Sequence, residues 1–342
     1  MLIRRFSLVS VVSLLLASVA CGGSESAPDT NATPAASNTA GEIANAAAYN
    51  GPLKISLAQW SLHKRYQAEG DITGPASNDP YDFPKHAKAM GFDGVEYVSQ
   101  LYKDDVAEGA EHGKSVMAIM SRLDAAAKEA GIEEVLIMID GEGELADPDA
   151  AARQRAVELH KHWVDGAWAS GIPTIRVNAG GNSVYKKISK QEAHSNAVES
   201  LRALGQYAAP KNVNVVVENH GGYSSDPVWL RDVMAAVDLD NVGILPDFGN
   251  FCRDGWPGDC RQSVPADSIY AAVGMWMPYA HAVSAKSYSF DGDGNENKID
   301  YARMLDTVRA HGYDGFVGVE FEGEDLSEEE GIAATMALLK RN

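Results

Sequence analysis

The chain of 342 residues lacks an excess of basic side chains. It has 29 lysines and arginines against 48 aspartates and glutamates, and its formal net charge is -19. A surface that binds nucleic acid needs a positively charged footprint for the phosphates. The composition therefore argues against a nucleic-acid partner.

Long hydrophobic runs are also missing. The apolar stretch over residues 6–17 follows Arg4 and Arg5 and is too short to span a bilayer comfortably, but it has the layout of a secretory signal. Residues 18–21, Ser-Val-Ala-Cys, resemble a bacterial lipobox, in which the cysteine is lipidated, although Ser18 stands where leucine is usual. The sequence predicts a lipoprotein signal peptide over residues 1–20, a lipidated Cys21 and anchoring to the periplasmic side of the cell envelope. An ordinary signal peptide without a lipid is the alternative.

Aromatic residues are absent between residues 22 and 48, where Ser, Ala, Thr, Asn, Pro and Gly dominate. Such a segment cannot offset the entropy lost on ordering. Residues 21–50 are therefore predicted to form a disordered tether. Residues 51–342 contain no linker-like stretch and have the usual size of one α/β barrel.

Cysteines are few. With Cys21 assigned to the lipid, Cys252 and Cys260 remain as a pair that closes a short loop rich in glycine and proline. In an oxidising compartment we expect a disulfide between them. Zinc binding is the weaker alternative, because no second Cys/His pair lies at a suitable spacing.

Short β-branched runs alternate with longer amphipathic segments, which is typical of parallel βα units. A glycine-rich phosphate turn, expected after the first strand of an open doubly wound sheet, does not follow Gln59. We therefore predict an α/β fold with a single (β/α)8 TIM barrel, whose chemistry lies at the C-terminal ends of the strands. The predicted strands are residues 53–59, 94–97, 135–139, 174–178, 213–218, 242–246, 282–286 and 316–320, and helices are predicted over 151–170, 191–209 and 301–311.

Three carboxylates, Glu218, Asp247 and Glu320, end the fifth, sixth and eighth predicted strands. Strand alternation directs Glu218 and Glu320 into the mouth of the barrel. Converging anions repel unless a proton or a cation separates them, and a divalent metal prefers such oxygen ligands. The alternative is that each carboxylate caps a helix or pairs with a basic neighbour.

Five short motifs carry a family resemblance. They are residues 90–96 (MGFDGVE), 217–222 (VENHGG), 245–247 (LPD), 283–286 (VSAK) and 318–320 (GVE). Together they resemble the sugar phosphate isomerase/epimerase superfamily, the xylose-isomerase-like TIM barrels, of which this chain would be an exported lipoprotein member. The resemblance covers nearly the whole chain after the tether.

The resemblance implies a manganese or magnesium ion held by Glu, Asp, His and Glu from strands five to eight. Glu218, Asp247 and Glu320 match the carboxylate ligands, whereas Ser284 stands where the family has histidine. A serine hydroxyl suits a hard ion better than a transition metal, so this departure from the family pattern predicts an all-oxygen, weak metal site. Glu218 and Glu320 would also be the proton donor and acceptor that flank the sugar.

Other strand-end residues are candidates for lesser roles. Lys286 is predicted to stabilise a developing oxyanion, and a salt bridge with Glu320 or Asp247 is its alternative. His220 is predicted to bind substrate, with metal ligation as the alternative. Three further residues, Glu96, Arg176 and Asn178, are predicted to bind sugar hydroxyls.

These residues favour a sugar isomerase or epimerase that abstracts a proton next to a metal-polarised carbonyl or hydroxyl of a carbohydrate. A lyase acting on an oxidised (keto) sugar or glycoside shares that first step. A non-catalytic, membrane-tethered sugar-binding barrel is another alternative, because a ligand histidine is missing. The phosphodiesterase branch of the fold is disfavoured, since its zinc-binding histidines and basic surface are not found. No cluster of arginines for a phosphate is evident in the strand-end motifs.

Overall fold

The computed structural model describes residues 47–68, 70, 72–255 and 260–342. The predicted signal peptide, Cys21 and most of the predicted tether lie outside the described residues. In the described part of the chain, no helix has the length and apolarity needed to cross a membrane.

Eight parallel strands alternate with eight main helices, as predicted. The strands are β1 (Lys54–Ala58), β2 (Gly94–Val98), β3 (Glu133–Met138), β4 (Thr174–Val177), β5 (Asn214–Glu218), β6 (Val242–Leu245), β7 (Val283–Ser287) and β8 (Phe316–Phe321). The helices that follow them are α1 (Phe83–Ala89), α2 (His112–Ala130), α3 (Ala150–Ser170), α4 (Lys190–Ala208), α5 (Pro227–Val237), α6 (Ile269–Trp276), α7 (Tyr301–Ala310) and α8 (Glu328–Arg341). The single (β/α)8 TIM barrel is confirmed.

The strands form a ring in which β1 pairs with both β2 and β8, and the remaining strands follow in chain order. Between β6 and β7 the ring closes through isolated parallel bridges, Ile244 with Ala280 and Asp247 with Ser284. At this seam the Ser284 amide donates to Pro246 O at 3.0 Å. The closure therefore brings Asp247 and Ser284 side by side.

Strand alternation separates two apolar layers. One face of each strand packs against the helices in the large core, which includes Leu57, Val95 and Ile137. The other face points into the barrel, where Ala58, Leu136, Val216 and Leu245 form a smaller cluster. Residues two positions apart share a face, so Glu218 points inward like Val216.

Capping side chains mark the beginnings of several helices, and glycines mark the ends of two. The side chains of Asp149, Ser189 and Asp226 accept hydrogen bonds from the first-turn amides of α3, α4 and α5, which satisfies donors that the helix itself leaves unpaired. Gly131 and Gly171 end α2 and α3 in the left-handed conformation, with φ of 64° and 79°, which glycine adopts without a steric penalty.

A segment with a small antiparallel sheet follows β6. It contains two antiparallel strands, Cys252–Asp254 and Gln262–Ser263. A disulfide links Cys252, at the start of the first strand, to Cys260, just before the second, with their Cα atoms 5.8 Å apart. The predicted disulfide is confirmed.

Candidate active site

The three predicted carboxylates meet at the C-terminal mouth of the barrel. Glu218, Asp247 and Glu320 are 1%, 0% and 5% exposed, and each offers an oxygen within 4.8 Å of the other two. β5, β6 and β8 end at the same rim, which is why residues far apart in the chain converge. Three buried anions this close repel strongly unless a cation or a proton lies among them.

Ser284 joins two of these carboxylates. Its Oγ lies 2.9 Å from Asp247 Oδ2 and 2.9 Å from Glu320 Oε2. A hydroxyl has one proton to donate, so only one of the two contacts is a hydrogen bond from serine. The other needs a protonated carboxyl or a cation between the oxygens.

Lys286 supplies part of the neutralising charge. Its Nζ lies 2.9 Å from Glu320 Oε1, 3.1 Å from Glu322 Oε1 and 3.6 Å from Asp247 Oδ2. Burial lowers the pKa of Lys286, but the surrounding carboxylates outweigh burial and hold that pKa well above its ordinary value. The salt bridges considered as the alternative for Lys286 are therefore present, and its ammonium stays charged.

Arg176 holds Glu218 from the other side. Its Nη1 donates to Asp140 Oδ1 at 2.8 Å, and its Nε lies 2.8 Å from Glu218 Oε2. The second contact is an ion pair without hydrogen-bond geometry, so Glu218 Oε2 is buried without a hydrogen bond. Glu218 Oε1 accepts from Asn250 Nδ2 at 2.8 Å. Glu218 is thus fixed in orientation while one oxygen keeps acceptor capacity.

Asp140, which sequence reasoning missed, organises the end of β4. Besides Arg176, it accepts from Asn178 Nδ2 at 2.7 Å. Burial raises the pKa of Asp140, but the Arg176 guanidinium and the other donors lower it by more. The pKa of Asp140 therefore lies below its ordinary value. Two predicted sugar-binding residues therefore both contact this carboxylate.

Glu322 was missed as well. It lies just beyond β8 and two residues after Glu320, so strand alternation was the signal that could have found it. Burial raises the pKa of Glu322, but the positive charge of Lys286 and its hydrogen bond to Glu322 outweigh burial and hold that pKa below its ordinary value.

Burial raises the pKa of three other carboxyls in the barrel, those of Glu218, Asp247 and Glu96. Burial raises the pKa of Glu218 to about 7 and that of Asp247 to about 8. Glu96, inside the barrel with its Oε1 2.5 Å from Ser56 Oγ, has a pKa of about 8, mainly because it is buried. Without a bound cation, burial therefore favours the protonated form of these carboxyls.

His220 follows β5 and lines the cavity above the carboxylates. Burial and the nearby Arg176 lower its pKa to about 4. Its imidazole is therefore neutral at pH 7. A neutral imidazole can donate one hydrogen bond and accept another, as binding to sugar hydroxyls requires.

A cavity of about 690 Å³ opens above these residues. Trp60, Val98 and Met138 form an apolar part of its wall, and Trp60 stacks on His63 with 4.7 Å between ring centroids. An apolar wall facing a polar floor suits a small polyhydroxylated ligand.

Comparison with known proteins extends this description. A family model of the xylose isomerase-like TIM barrel matches residues 84–342. A search of the curated proteins found no match. Among solved structures, 3-keto-D-glucoside 4-epimerase from E. coli is 17% identical and has a TM-score of 0.61, with 85% of this chain and 100% of that chain covered.

Two further solved structures are similar in the same way. D-psicose 3-epimerase from Clostridium cellulolyticum H10, solved with D-tagatose, is 14% identical with a TM-score of 0.61, over 84% of this chain and 98% of that chain. The probable 3-DHS dehydratase of petrobactin synthesis from Bacillus anthracis is 19% identical with a TM-score of 0.56, over 85% and 100% of the two chains. At these identities the likeness concerns the fold.

Proposed function

The chain belongs to the xylose isomerase-like TIM barrel family, and from this premise we propose that it is an enzyme that isomerises or epimerises a carbohydrate by proton transfer at the mouth of the barrel. The single observation that carries the proposal is the meeting of Glu218, Asp247 and Glu320, whose oxygens lie within 4.8 Å of one another in a buried position. The epimerases among the structural neighbours support the same class of chemistry.

The residues present fit a divalent metal ion. Glu218, Asp247 and Glu320 would hold it, and Ser284 Oγ, which already lies between two of them, would complete an all-oxygen set. Such donors suit magnesium or manganese better than zinc. A bound ion would supply a Lewis acid that polarises a sugar oxygen and stabilises negative charge on it.

In this proposal the two glutamates carry out opposite halves of a proton transfer. Glu218 is oriented by Asn250 and Arg176, and its Oε2 has no hydrogen bond. Burial raises the pKa of Glu218 against the lowering effect of Arg176, and we assign to Glu218 the uptake of a proton from the ligand. Glu320 lies on β8, which β6 and β7 separate from β5, and is held by Lys286 and Ser284; there it would exchange a proton with another part of the same ligand.

Lys286 and His220 serve the same centre in this proposal. The Lys286 ammonium stabilises negative charge that develops on the ligand and keeps Glu320 and Asp247 in position. Neutral His220 lines the cavity beside them and binds sugar hydroxyls.

The second candidate is a lyase acting on a keto sugar or a glycoside. It begins with the same proton abstraction and differs in losing a leaving group afterwards. A dehydratase among the structural neighbours favours keeping this candidate.

Solvent exchange tests the proposal. The full chain, loaded with magnesium or manganese, is incubated in D2O with free and keto sugars, and NMR follows deuterium incorporation next to the carbonyl. We expect incorporation with the native protein and its loss with Glu218→Gln and Glu320→Gln. Glu158→Gln, an exposed carboxylate on α3 paired with Lys161, is the matched control. No incorporation with any sugar would remove the enzymatic proposal and leave the sugar-binding alternative.

We also propose that the chain is exported and anchored through a lipid on Cys21. Cell fractionation compares the native chain with Cys21→Ser. The variant is expected to leave the membrane fraction, and retention of both forms there would refute lipid anchoring.

A further inference from the structure

Buried polar atoms without a hydrogen-bond partner gather at the mouth of the barrel. Among the described residues, four such atoms belong to this region: Arg176 Nε, Asn178 Oδ1, Glu218 Oε2 and Tyr288 Oη. An unpaired buried donor or acceptor is costly, and each one in a folded protein needs a reason, such as a ligand that binds there. The mouth therefore has hydrogen-bonding capacity that the chain itself does not use.

Tyr288 carries an unpaired donor that the proposed proton transfer does not use. It directly follows β7, is half-buried and lines the cavity. Its Oη finds no hydrogen-bond partner in the part of the chain that the structure describes. Burial raises the pKa of the phenol by more than the nearby Lys286 lowers it. The hydroxyl therefore keeps its proton at neutral pH and can donate it to an acceptor.

The Tyr288 ring packs against the turn that follows Asp247. A Cβ on Gly249 would come within 2.8 Å of Tyr288 Oη and within 2.7 Å of Lys286 Cγ, so the lack of a Cβ makes room for the ring. The Gly249 amide also donates to Asp247 Oδ1 at 2.7 Å. The unpaired hydroxyl therefore lies beside the turn that carries one of the three carboxylates.

The backbone of Tyr288 is held in place, whereas its hydroxyl is not. The Tyr288 and Ser289 amides donate to Glu296 Oε1 at 3.3 and 3.4 Å. Tyr288 O lies so close to Gly323 that a Cβ there would approach it to 1.9 Å. Because no hydrogen bond restrains Oη among the described residues, the ring can turn toward the cavity without breaking one.

We propose that Tyr288 binds the ligand and determines specificity: its hydroxyl donates a hydrogen bond to one oxygen of the carbohydrate. The inference rests on the proposed function, because it concerns recognition of the same ligand. Glu218 Oε2 is an unpaired acceptor at the end of β5, and Tyr288 Oη is an unpaired donor after β7. A sugar hydroxyl both donates and accepts, so a polyhydroxylated ligand across the mouth can satisfy both atoms.

The size of the effect follows from the loss of one hydrogen bond. Tyr288→Phe removes only Oη and leaves a ligand oxygen buried without its donor, so we expect affinity at least about tenfold lower. In the ligand-free protein the same substitution removes a buried group that has no partner, so the urea midpoint should stay unchanged or rise. A tyrosine with a merely structural role would show the opposite pattern.

The test uses the full chain loaded with magnesium. D-Fructose, D-tagatose, D-psicose and D-glucose, and forms of each that lack one hydroxyl, are titrated by ligand-observed NMR into the native chain and Tyr288→Phe. We expect the native chain to prefer a parent sugar over at least one of its deoxy forms by about tenfold. Tyr288→Phe should bind that parent sugar and that deoxy form equally, because the discriminating donor is gone.

Tyr313→Phe is the matched control. Its Oη donates to Phe316 O at 2.7 Å, at the beginning of β8 and therefore at the opposite end of the strand from the mouth. This variant should lower the urea midpoint and keep the native affinity for sugars. Magnesium, titrated alone, should bind the native chain and Tyr288→Phe equally, because the proposal gives Tyr288 no part in holding the metal.

The outcomes separate this inference from the proposed function. Equal affinity of the native chain and Tyr288→Phe for the sugars, or a preference for the parent sugar that persists in the variant, overturns the role of Tyr288 and leaves a sugar enzyme. Weaker sugar binding together with a lower urea midpoint or weaker magnesium binding shows a structural role and also overturns it. Failure of every sugar to bind the native chain overturns both proposals.

Discussion

Replacing Glu96 by glutamine removes a buried acid that is not one of the predicted metal ligands. Glu96 is 2% exposed and hydrogen-bonds to Ser56, and its pKa of about 8 means that the folded protein binds its proton much more tightly than the unfolded chain does. Glutamine keeps the size of the side chain and can still bond to Ser56. We therefore expect the substitution to remove a pH dependence without removing the local packing.

The magnitude follows from the shift in pKa. The ordinary value of 4.5 is raised to about 8, and one pKa unit corresponds to about 1.4 kcal/mol. A raised pKa gives stability that is fully present below about pH 4.5 and is lost as the pH rises through about 8. Between pH 5 and pH 8.5, ionisation of Glu96 should therefore lower the free energy of unfolding by about 4 kcal/mol.

Urea unfolding of the metal-free protein measures this effect. A chelator is present, and the free energy of unfolding is determined at several values between pH 5 and pH 8.5. The native chain should lose about 4 kcal/mol more than Glu96→Gln over this range. Glu133→Gln, at an exposed position in β3, should follow the native chain. Parallel profiles for the native chain and Glu96→Gln would show that Glu96 does not hold its proton in the folded state.

Three further substitutions test the neighbouring structure. Ser284→His should raise affinity for cobalt or zinc relative to magnesium at least about tenfold, because imidazole suits those metals; calorimetric titration of each metal checks this. Lys286→Met should lower the free energy of unfolding of the metal-free protein at pH 8 by about 3 kcal/mol, since it leaves buried carboxylates unpaired, and urea unfolding with added magnesium should show partial recovery. Removing the disulfide with Cys252→Ser/Cys260→Ser should cost about 2.5 kcal/mol, because the residues are 8 positions apart; thermal unfolding measures the loss.

Most of the fold was predictable because its signals are local. Strands of about five residues bounded by helices that stop at Gly131 and Gly171 define βα units, and the structure shifts their ends by only a residue or two. The largest shift is at the beginning of β3, which starts at Glu133, two residues before the predicted start. Glu133 and Glu134 pair there with Gly94 and Val95, ahead of a register shift between Val95 and Glu96.

The inward direction of Glu218 and Glu320 was also predictable, since alternation along a strand depends only on the backbone. The hydrogen-bond and ion-pair partners of the site residues could not be predicted from the sequence. Arg176 was predicted to contact sugar hydroxyls, a role that stays a prediction, and the structure pairs it with Asp140 and Glu218. Such pairings depend on the order of strands around the ring and on turns beyond the strand ends.

The site and the seam of the barrel are built from the same residues. β6 and β7 pair only through isolated bridges, one of them between Asp247 and Ser284, whose side chains also meet at 2.9 Å. Asn219 adds to this seam, since it donates to Asp247 O at 3.0 Å and accepts from the Asp247 amide at 2.7 Å. Because these side chains lie at the seam, protons or cations that neutralise the carboxylates should also help to close the ring. Charge at the site and stability of the barrel should therefore vary together.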